Sequence, residues 1–199
     1  LENYVEKKYL IKKPLVNNNL NLIYHGHLGV ERGIEDLVLA MEMIVQKYPD
    51  IKLLLLGSFR TKQFENKIKK LIVKLLLGNN IIYKKQVSYK NVWKFLRKSS
   101  IGIIPFRKNP LTENCIPTKL FEMMASSHQI VTTDLPPIRC FVSDSVFWAK
   151  PNNPISLTNA IISCVESVND KAKIEKNLGL IKNKYNWDLI KNNYINLFK

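Results

Sequence analysis

Short apolar runs closed by glycine or proline alternate with longer segments of helical period along most of this 199-residue chain. That alternation limits the folds open to it more than any other feature. The runs at 20–24, 51–56, 81–83, 101–104, 130–132 and 146–149 read as strands; the first ends at Gly26, the second at Gly57 and the fourth at Pro105. The run at 51–56 is almost continuously apolar, as a strand covered on both faces must be. Between the runs lie helical segments at Ile34–Lys47, 64–77, 89–98 and Thr118–Ala125, and three more close the chain at 154–168, 171–185 and 187–198. In the first of them apolar residues fall at 34, 37, 38, 41, 44 and 45, the spacing of one helix face. Gly78-Asn79-Asn80 reads as the stop of the second. This alternation predicts an α/β fold, a doubly wound parallel sheet. Ligands of such sheets lie beyond the carboxyl ends of the strands, where strand order reverses. Functional residues are therefore expected in the loops after the first and fourth strands.

A chain of this length supports one sizeable α/β domain and not two, and a hydrophobic fraction of 46% supplies its core. Residues 1–18 are polar and mixed and read as a linker that enters a domain occupying 19–199. No apolar run approaches the roughly 18–20 residues that span a bilayer, and the opening LENYVEKKYL has no apolar signal-peptide region. Cys115, Cys140 and Cys164 are odd in number and far apart, which points to a reduced, cytoplasmic protein without a disulfide framework or zinc site. His25 and His27 share a strand end but have no third ligand beside them, so no metal is expected.

The 31 basic and 16 acidic side chains leave a net charge of +15, which favours anionic partners. The lysines are spread along the chain, and no basic block is interleaved with aromatics as single-strand binders require, so nucleic acid is not an expected partner. A solvated lysine-rich surface and a peripheral contact with an anionic membrane both fit the charge.

Two motifs occupy the expected loops. Gly26-His27-Leu28-Gly29-Val30-Glu31-Arg32-Gly33 follows the first strand. Its glycines let backbone N–H groups approach an anion, and His27 and Arg32 flank the turn. It is neither the G-x-G-x-x-G dinucleotide fingerprint nor a phosphate loop ending in G-K-[ST]. The second motif runs from Asn114 through Pro117-Thr118-Lys119-Leu120-Phe121-Glu122 to Ala125. Pro117 signals a helix start that Thr118 is placed to cap, and the helix N-terminus with Lys119 suits a phosphate. Glu122 lies one turn on and is able to accept the hydroxyls of a ribose. Taken alone, Lys119 and Glu122 would equally make a surface ion pair worth a few tenths of a kcal/mol.

The two motifs together, with 101–106 between them, 130–136 after them and Asn186-Trp187 near the end, resemble the C-terminal donor domain of family 4 glycosyltransferases of the GT-B fold, the glycosyl transferases group 1 type. The likeness covers roughly 19–199 and implies a Rossmann-like half of a two-domain enzyme, with the acceptor domain preceding it. It implies a nucleoside diphosphate sugar as donor, retaining transfer to an acceptor glycan or glycolipid, and no metal cofactor. By resemblance, Gly26, His27, Arg32, Asn114, Pro117, Thr118, Lys119 and Glu122 bind donor, and Arg32 and Lys119 stabilise the leaving diphosphate. His27 stands where relatives usually carry a cation, and Asn114 stands for the first glutamate of an E-x7-E pair whose second member is Glu122. The base is expected around 86–88. No residue is assigned as general base. The rival expectations are a non-catalytic nucleotide-sugar-binding subunit, a nucleotide-sugar 2-epimerase and a basic nucleic-acid-binding module.

Overall fold

A computed structural model describes residues 4–10, 21–167 and 170–196. Among them, six strands form a single parallel sheet: β1 (Asn21–His25), β2 (Lys52–Leu56), β3 (Ile81–Lys84), β4 (Ile101–Ile104), β5 (Gln129–Thr133) and β6 (Phe147–Ala149), in the order β3-β2-β1-β4-β5-β6. The order reverses between β1 and β4, so the loops after these two strands flank one crevice, as the doubly wound pattern requires. β4 and β5 are buried along their whole length.

The helices are α1 (Ile34–Lys47), α2 (Lys62–Lys74), α3 (Tyr89–Leu96), α4 (Thr118–Ala125), α5 (Pro136–Arg139), α6 (Pro154–Glu166), α7 (Ala172–Asn183) and α8 (Trp187–Asn196). α1 packs against α2 and α6, and α4 packs against α7. The buried positions of α1 include Ile34, Leu37, Val38, Met41 and Ile44, five of the six apolar positions of its expected face.

Several boundaries differ from the sequence reading. α2 ends at Lys74, before Gly78, because Leu76 takes the left-handed conformation (φ 56°) and the Leu77 amide reaches back to the Ile72 carbonyl. That closure turns Leu77 into the core, and burying its side chain offsets a left-handed non-glycine residue. The helix begins at Lys62 because the Thr61 hydroxyl caps it, accepting from the Phe64 amide at 3.2 Å. α5 escapes the periodicity because it is one short turn started by Pro136. The first strand extends to His25, while Leu20, Val168 and Phe198 lie outside the described residues.

Of the expected linker 1–18, residues 4–10 run along the domain and the rest lie outside the described residues. Val5 is buried and bridges to Asn186, Tyr4 meets Phe121 edge to face, and Tyr9 stacks on Trp93 at 4.5 Å. Asn186 ties this strip to the chain's end: its side-chain amide donates to the carbonyls of Ile181 and Lys182, and its oxygen accepts from the Leu189 amide.

Gly33 joins the two sides of the crevice. It caps α1 with φ 69°, and a Cβ there would lie 1.7 Å from the Pro105 carbonyl oxygen at the end of β4. Replacing Gly33 with Ala is expected to cost about 2–4 kcal/mol, combining left-handed strain with overpacking. In contrast, Gly179→Ala in α7, where the added methyl meets nothing within 4 Å, is expected to stabilise by about 0.5–1 kcal/mol. Urea midpoints of the two variants and the parent chain check both signs.

Candidate functional site

The site is assembled from the ends of β1 and β2, the turn before α3, and the first turns of α4. β1 supplies Tyr24 and His25 and leads into Gly26, whose φ of 106° belongs to glycine. The Tyr24 hydroxyl donates to the His27 carbonyl at 2.6 Å and holds the turn against the strand. A methyl on Gly26 would sit 3.2 Å from Lys119 Nζ, so the bare glycine leaves room for the ammonium. The result is an open cleft of about 250 Å³ lined by His25, Gly26, His27, Gln86, Val87, Tyr89, Thr118, Lys119 and Glu122, among others.

Lys119 and Glu122 define the electrostatics. Each is only 9% exposed, and no ion pair joins them. The surface-pair alternative is thereby set aside: α4 carries both into the protein because its remaining faces are apolar and packed on β4, β5 and α7. Lys119 Nζ lies 3.9 Å from the centre of the Tyr24 ring and 5.1 Å from that of Phe106, so aromatic faces hold the ammonium in place of a carboxylate. Burial, together with the nearby Arg32 charge, lowers the Lys119 pKa to about 7. Burial likewise raises the Glu122 carboxyl to about 7, against the pull of Lys119. His25 Nε2 is 3.4 Å from Glu122 Oε2. Burial and then the Lys119 charge press the imidazole well below its ordinary range, so the contact is between a neutral ring and the carboxyl group and is not a salt bridge.

The other expected residues fall into two groups. His27 and Thr118 line the cleft and are exposed. Thr118 does not cap α4; Pro117 occupies the cap position without a side-chain bond, because the chain reaches helical geometry one residue earlier than the capping reading required. The amides of Thr118 and Lys119 precede the first bond of the helix, from the Leu120 amide to the Pro117 carbonyl, and point out of its N-terminus.

The glycine turn, by contrast, has its amides at Gly26, Leu28, Arg32 and Gly33 bonded to backbone carbonyls. Its contribution is shape, and the helix N-terminus is the better anion donor. Arg32 lies outside the cleft lining: its guanidinium covers the Phe106 ring at 4.6 Å, and Nε is 3.3 Å from Glu31, which also pairs with Arg60 at 2.9 Å. Asn114 is exposed and turned away, donating to the Pro110 carbonyl at 2.9 Å.

Sequence reasoning missed Tyr24, Phe106 and His25 as parts of the site. Tyr24 lies on β1 and Phe106 just past β4, both at buried positions indistinguishable from core. His25 offered a signal, a polar residue in a strand otherwise buried, but it was weighed only as a metal ligand. It also missed Arg107, which anchors the loop after β4 by two bonds to Asp36, at 2.7 and 2.5 Å, and by its amide to the Glu31 carbonyl. That loop thereby holds its position against α1 and the turn after β1.

A parallel sheet of this order, flanked by helices and opening a crevice at its switch point, makes the chain a doubly wound α/β domain of Rossmann-like form. The chain belongs to the glycosyl transferases group 1 family, whose model matches residues 6–185. It is 28% identical over 130 residues to an uncharacterized glycosyltransferase of Methanocaldococcus jannaschii, covering 65% of this chain and 29% of the relative. A second uncharacterized glycosyltransferase of that archaeon is 22% identical over 181 residues, covering 89% and 44%. The chain thus spans less than half the length of either curated relative.

Among solved structures, the fold matches the C-terminal domain of a glycosyl transferase group 1 family protein (LpcC) from Francisella tularensis, with a TM-score of 0.76, 16% identity and coverage of 92% of this chain and 99% of that one. It also matches Anabaena HepE in complex with UDP-glucose, with a TM-score of 0.82, 16% identity and coverage of 98% and 56%. The fold expected from the sequence, a Rossmann-like half of a GT-B glycosyltransferase, is the fold observed.

The buried pair carries a stability consequence. Glu122 titrates higher in the fold than in the unfolded chain, so its ionisation destabilises the fold as pH rises from the ordinary value of 4.5 through about 7. Lys119 titrates lower than its ordinary 10.5, so its penalty is complete below about 7 and fades above it. Both act near neutrality. The double variant Lys119→Met/Glu122→Gln is expected to be more stable than the parent at pH 7, by about 1–3 kcal/mol. Urea titrations at pH 7, 4 and 10 check that the advantage narrows at both extremes.

Proposed function

We propose that this domain binds the donor of a glycosyl transfer, a nucleoside diphosphate sugar. The carrying observation is the pair of buried, oppositely ionising side chains, Lys119 and Glu122, facing one cleft at the N-terminal end of α4. Desolvating two such groups costs stability that an apolar pair would not, which is the expected signature of a site built for a ligand. A diphosphate meets the Lys119 ammonium and the α4 amides, and a ribose meets the Glu122 carboxylate. The base lies towards Gln86 and Val87. HepE has been crystallised with UDP-glucose, and TarM of S. aureus with UDP, which supports the same ligand class here.

Transfer moves negative charge onto the departing diphosphate, and Lys119 is already placed to stabilise it, with Arg32 behind Phe106 adding its field. These cations perform the neutralisation that a metal ion would otherwise provide, so the proposal invokes no metal. The stereochemistry is proposed to be retaining. The acceptor, a glycan or glycolipid of cell-surface synthesis, is proposed to be held by a preceding domain, so that this chain alone transfers poorly. The full protein is proposed to work in the cytoplasm at the inner face of the membrane. Asn114, turned to Pro110, leaves the sugar contact to other groups. That feature favours, as a second reading, a subunit that binds the nucleotide sugar without transferring it; turnover with the acceptor domain present would distinguish the two.

Calorimetric titration with UDP and GDP tests the donor site. Glu122→Ala is expected to weaken whichever nucleotide binds by about 1–3 kcal/mol, and an unchanged affinity would remove the ribose role. Lys119→Ala is expected to cost more for the diphosphate than for the nucleoside, by about 1.5–3 kcal/mol. Arg32→Ala follows the same order with a smaller loss, because Glu31 already shares its charge.

Affinity is also expected to peak near pH 7. A phosphate raises the Lys119 pKa, so binding takes up a proton and weakens as pH climbs above about 7. Ribose hydroxyls lower that of Glu122, so binding releases a proton and weakens as pH falls below about 7. Titrations across pH are expected to lose the acid limb in Glu122→Gln and the alkaline limb in Lys119→Met.

A further inference from the structure

Charge is less evenly distributed than a reading along the chain conveys. Residues 62–98 hold eleven lysines and arginines and a single acidic residue, Glu65; the rest of the chain has 20 basic and 15 acidic side chains. All eleven are exposed. Lys62 and Lys69 pair with Glu65, and Lys67 with Glu35. The other eight make no ion pair among the described residues, and they include Lys70 and Lys74 of α2, Lys94 of α3 and Lys98 just beyond it.

The topology gathers these residues at one margin of the molecule. β3 is the edge strand, and α2 and α3 are the crossovers that enter and leave it. Both helices run against the direction of the strands, so their C-terminal turns face the amino-terminal end of the sheet, that of α2 at β3 and that of α3 beside the start of β1, where the Lys98 carbonyl accepts from the Asn21 side chain at 3.4 Å. The side chains join across the edge: Lys69 lies over the Tyr83 ring at 5.8 Å, and Lys84 over the Phe95 ring at 5.8 Å. A groove of about 300 Å³ opens on α3 between Val87, Asn91, Lys94, Phe95 and Lys98, apolar at its floor and basic at its rim. At the end of α2, Val73 is 72% exposed and Leu76 is 88% exposed, beside Lys70 and Lys74.

We propose that this α2–β3–α3 margin docks on an anionic lipid membrane. Unpaired lysines complement a leaflet of negative headgroups, and the aliphatic tip at Val73 and Leu76 is suited to enter the acyl boundary between them. A single-stranded nucleic acid fits the same charge less well. Its bases need exposed aromatic faces, whereas Tyr83 and Phe95 are half-buried beneath lysines, and Tyr89 belongs to the donor cleft. The aliphatic tip at Val73 and Leu76 lies at the amino end of the edge strand, while the donor cleft opens at the carboxyl ends and meets the α3 groove at Val87, so docking through that tip keeps the cleft off the lipid. The inference deepens the membrane placement proposed above and does not depend on the donor reading.

Co-sedimentation of the 199-residue chain with phosphatidylcholine vesicles, with and without phosphatidylserine, tests it. The chain is expected to bind only the anionic vesicles and to be released at high salt. Each lysine near such a surface strengthens binding roughly fivefold. Lys70→Gln, Lys74→Gln, Lys94→Gln and Lys98→Gln together are therefore expected to weaken binding by at least ~10-fold. The charge-matched set Lys150→Gln, Lys171→Gln, Lys182→Gln and Lys184→Gln, on other faces, is expected to change it by less than ~3-fold. Leu76→Asn, which tolerates the left-handed backbone, is expected to weaken vesicle binding several-fold at unchanged charge. Absence of binding to anionic vesicles, equal losses in the two lysine sets, or tighter binding of single-stranded RNA through the same four lysines would overturn the proposal. Unchanged urea midpoints and nucleotide affinity in the variants separate a failure of this face from misfolding and from a failure of the donor site.

Discussion

The placement of the Lys119 ammonium between the faces of Tyr24 and Phe106 is the contact around which the rest of this domain is arranged. A charge taken out of water is costly, and here it is offset by two aromatic quadrupoles and a carboxyl one turn away, without a direct ion pair. Tyr24 stands at the end of β1 and Phe106 just past β4, the two strands between which the sheet reverses. The charge therefore sits where the topology opens a crevice. Gly26 leaves it space, and the hydrogen bond from Tyr24 to the His27 carbonyl keeps the turn from closing over it.

That arrangement explains why the scaffold around it is so tightly tied. Gly33 admits the Pro105 carbonyl, Arg107 grips Asp36 with two bonds, and its amide reaches Glu31. These contacts lock the loop after β4 onto the turn after β1. A site that strains its own lysine and glutamate needs neighbours that do not relax, because a small shift would let water reach both groups and return their pKa values to ordinary ranges. Stability is thus concentrated around the crevice that weakens it.

The surface follows a different logic. Around the crevice, Arg32 and Arg60 both pair with Glu31. Along the β3 margin, eight exposed basic groups make no ion pair among the described residues. Two regions of one domain therefore carry positive charge in two forms: a single buried cation whose protonation responds to its surroundings, and a broad exposed field that salt screens.

Much of this was legible in the sequence. Glycine- or proline-closed apolar runs alternating with helical period determined the parallel sheet, and the loops after the first and fourth strands held the motifs that line the cleft. Local rules sufficed there because strand and helix signals depend on neighbours within a few residues. They failed at Gly78, where Leu76 ended the helix to bury Leu77, and at Thr118, where Pro117 took the cap position. Spacing could place Lys119 and Glu122 on one helix face but could not say whether that face met water. Only the packing of α4 on β4, β5 and α7, with the end of β1 and the loop after β4 brought over it, decided that both are buried, that Arg32 and Asn114 stand aside, and that Tyr24, Phe106 and His25 belong to the site. Burial is a property of the whole arrangement, and it is burial that changes the chemistry of these side chains.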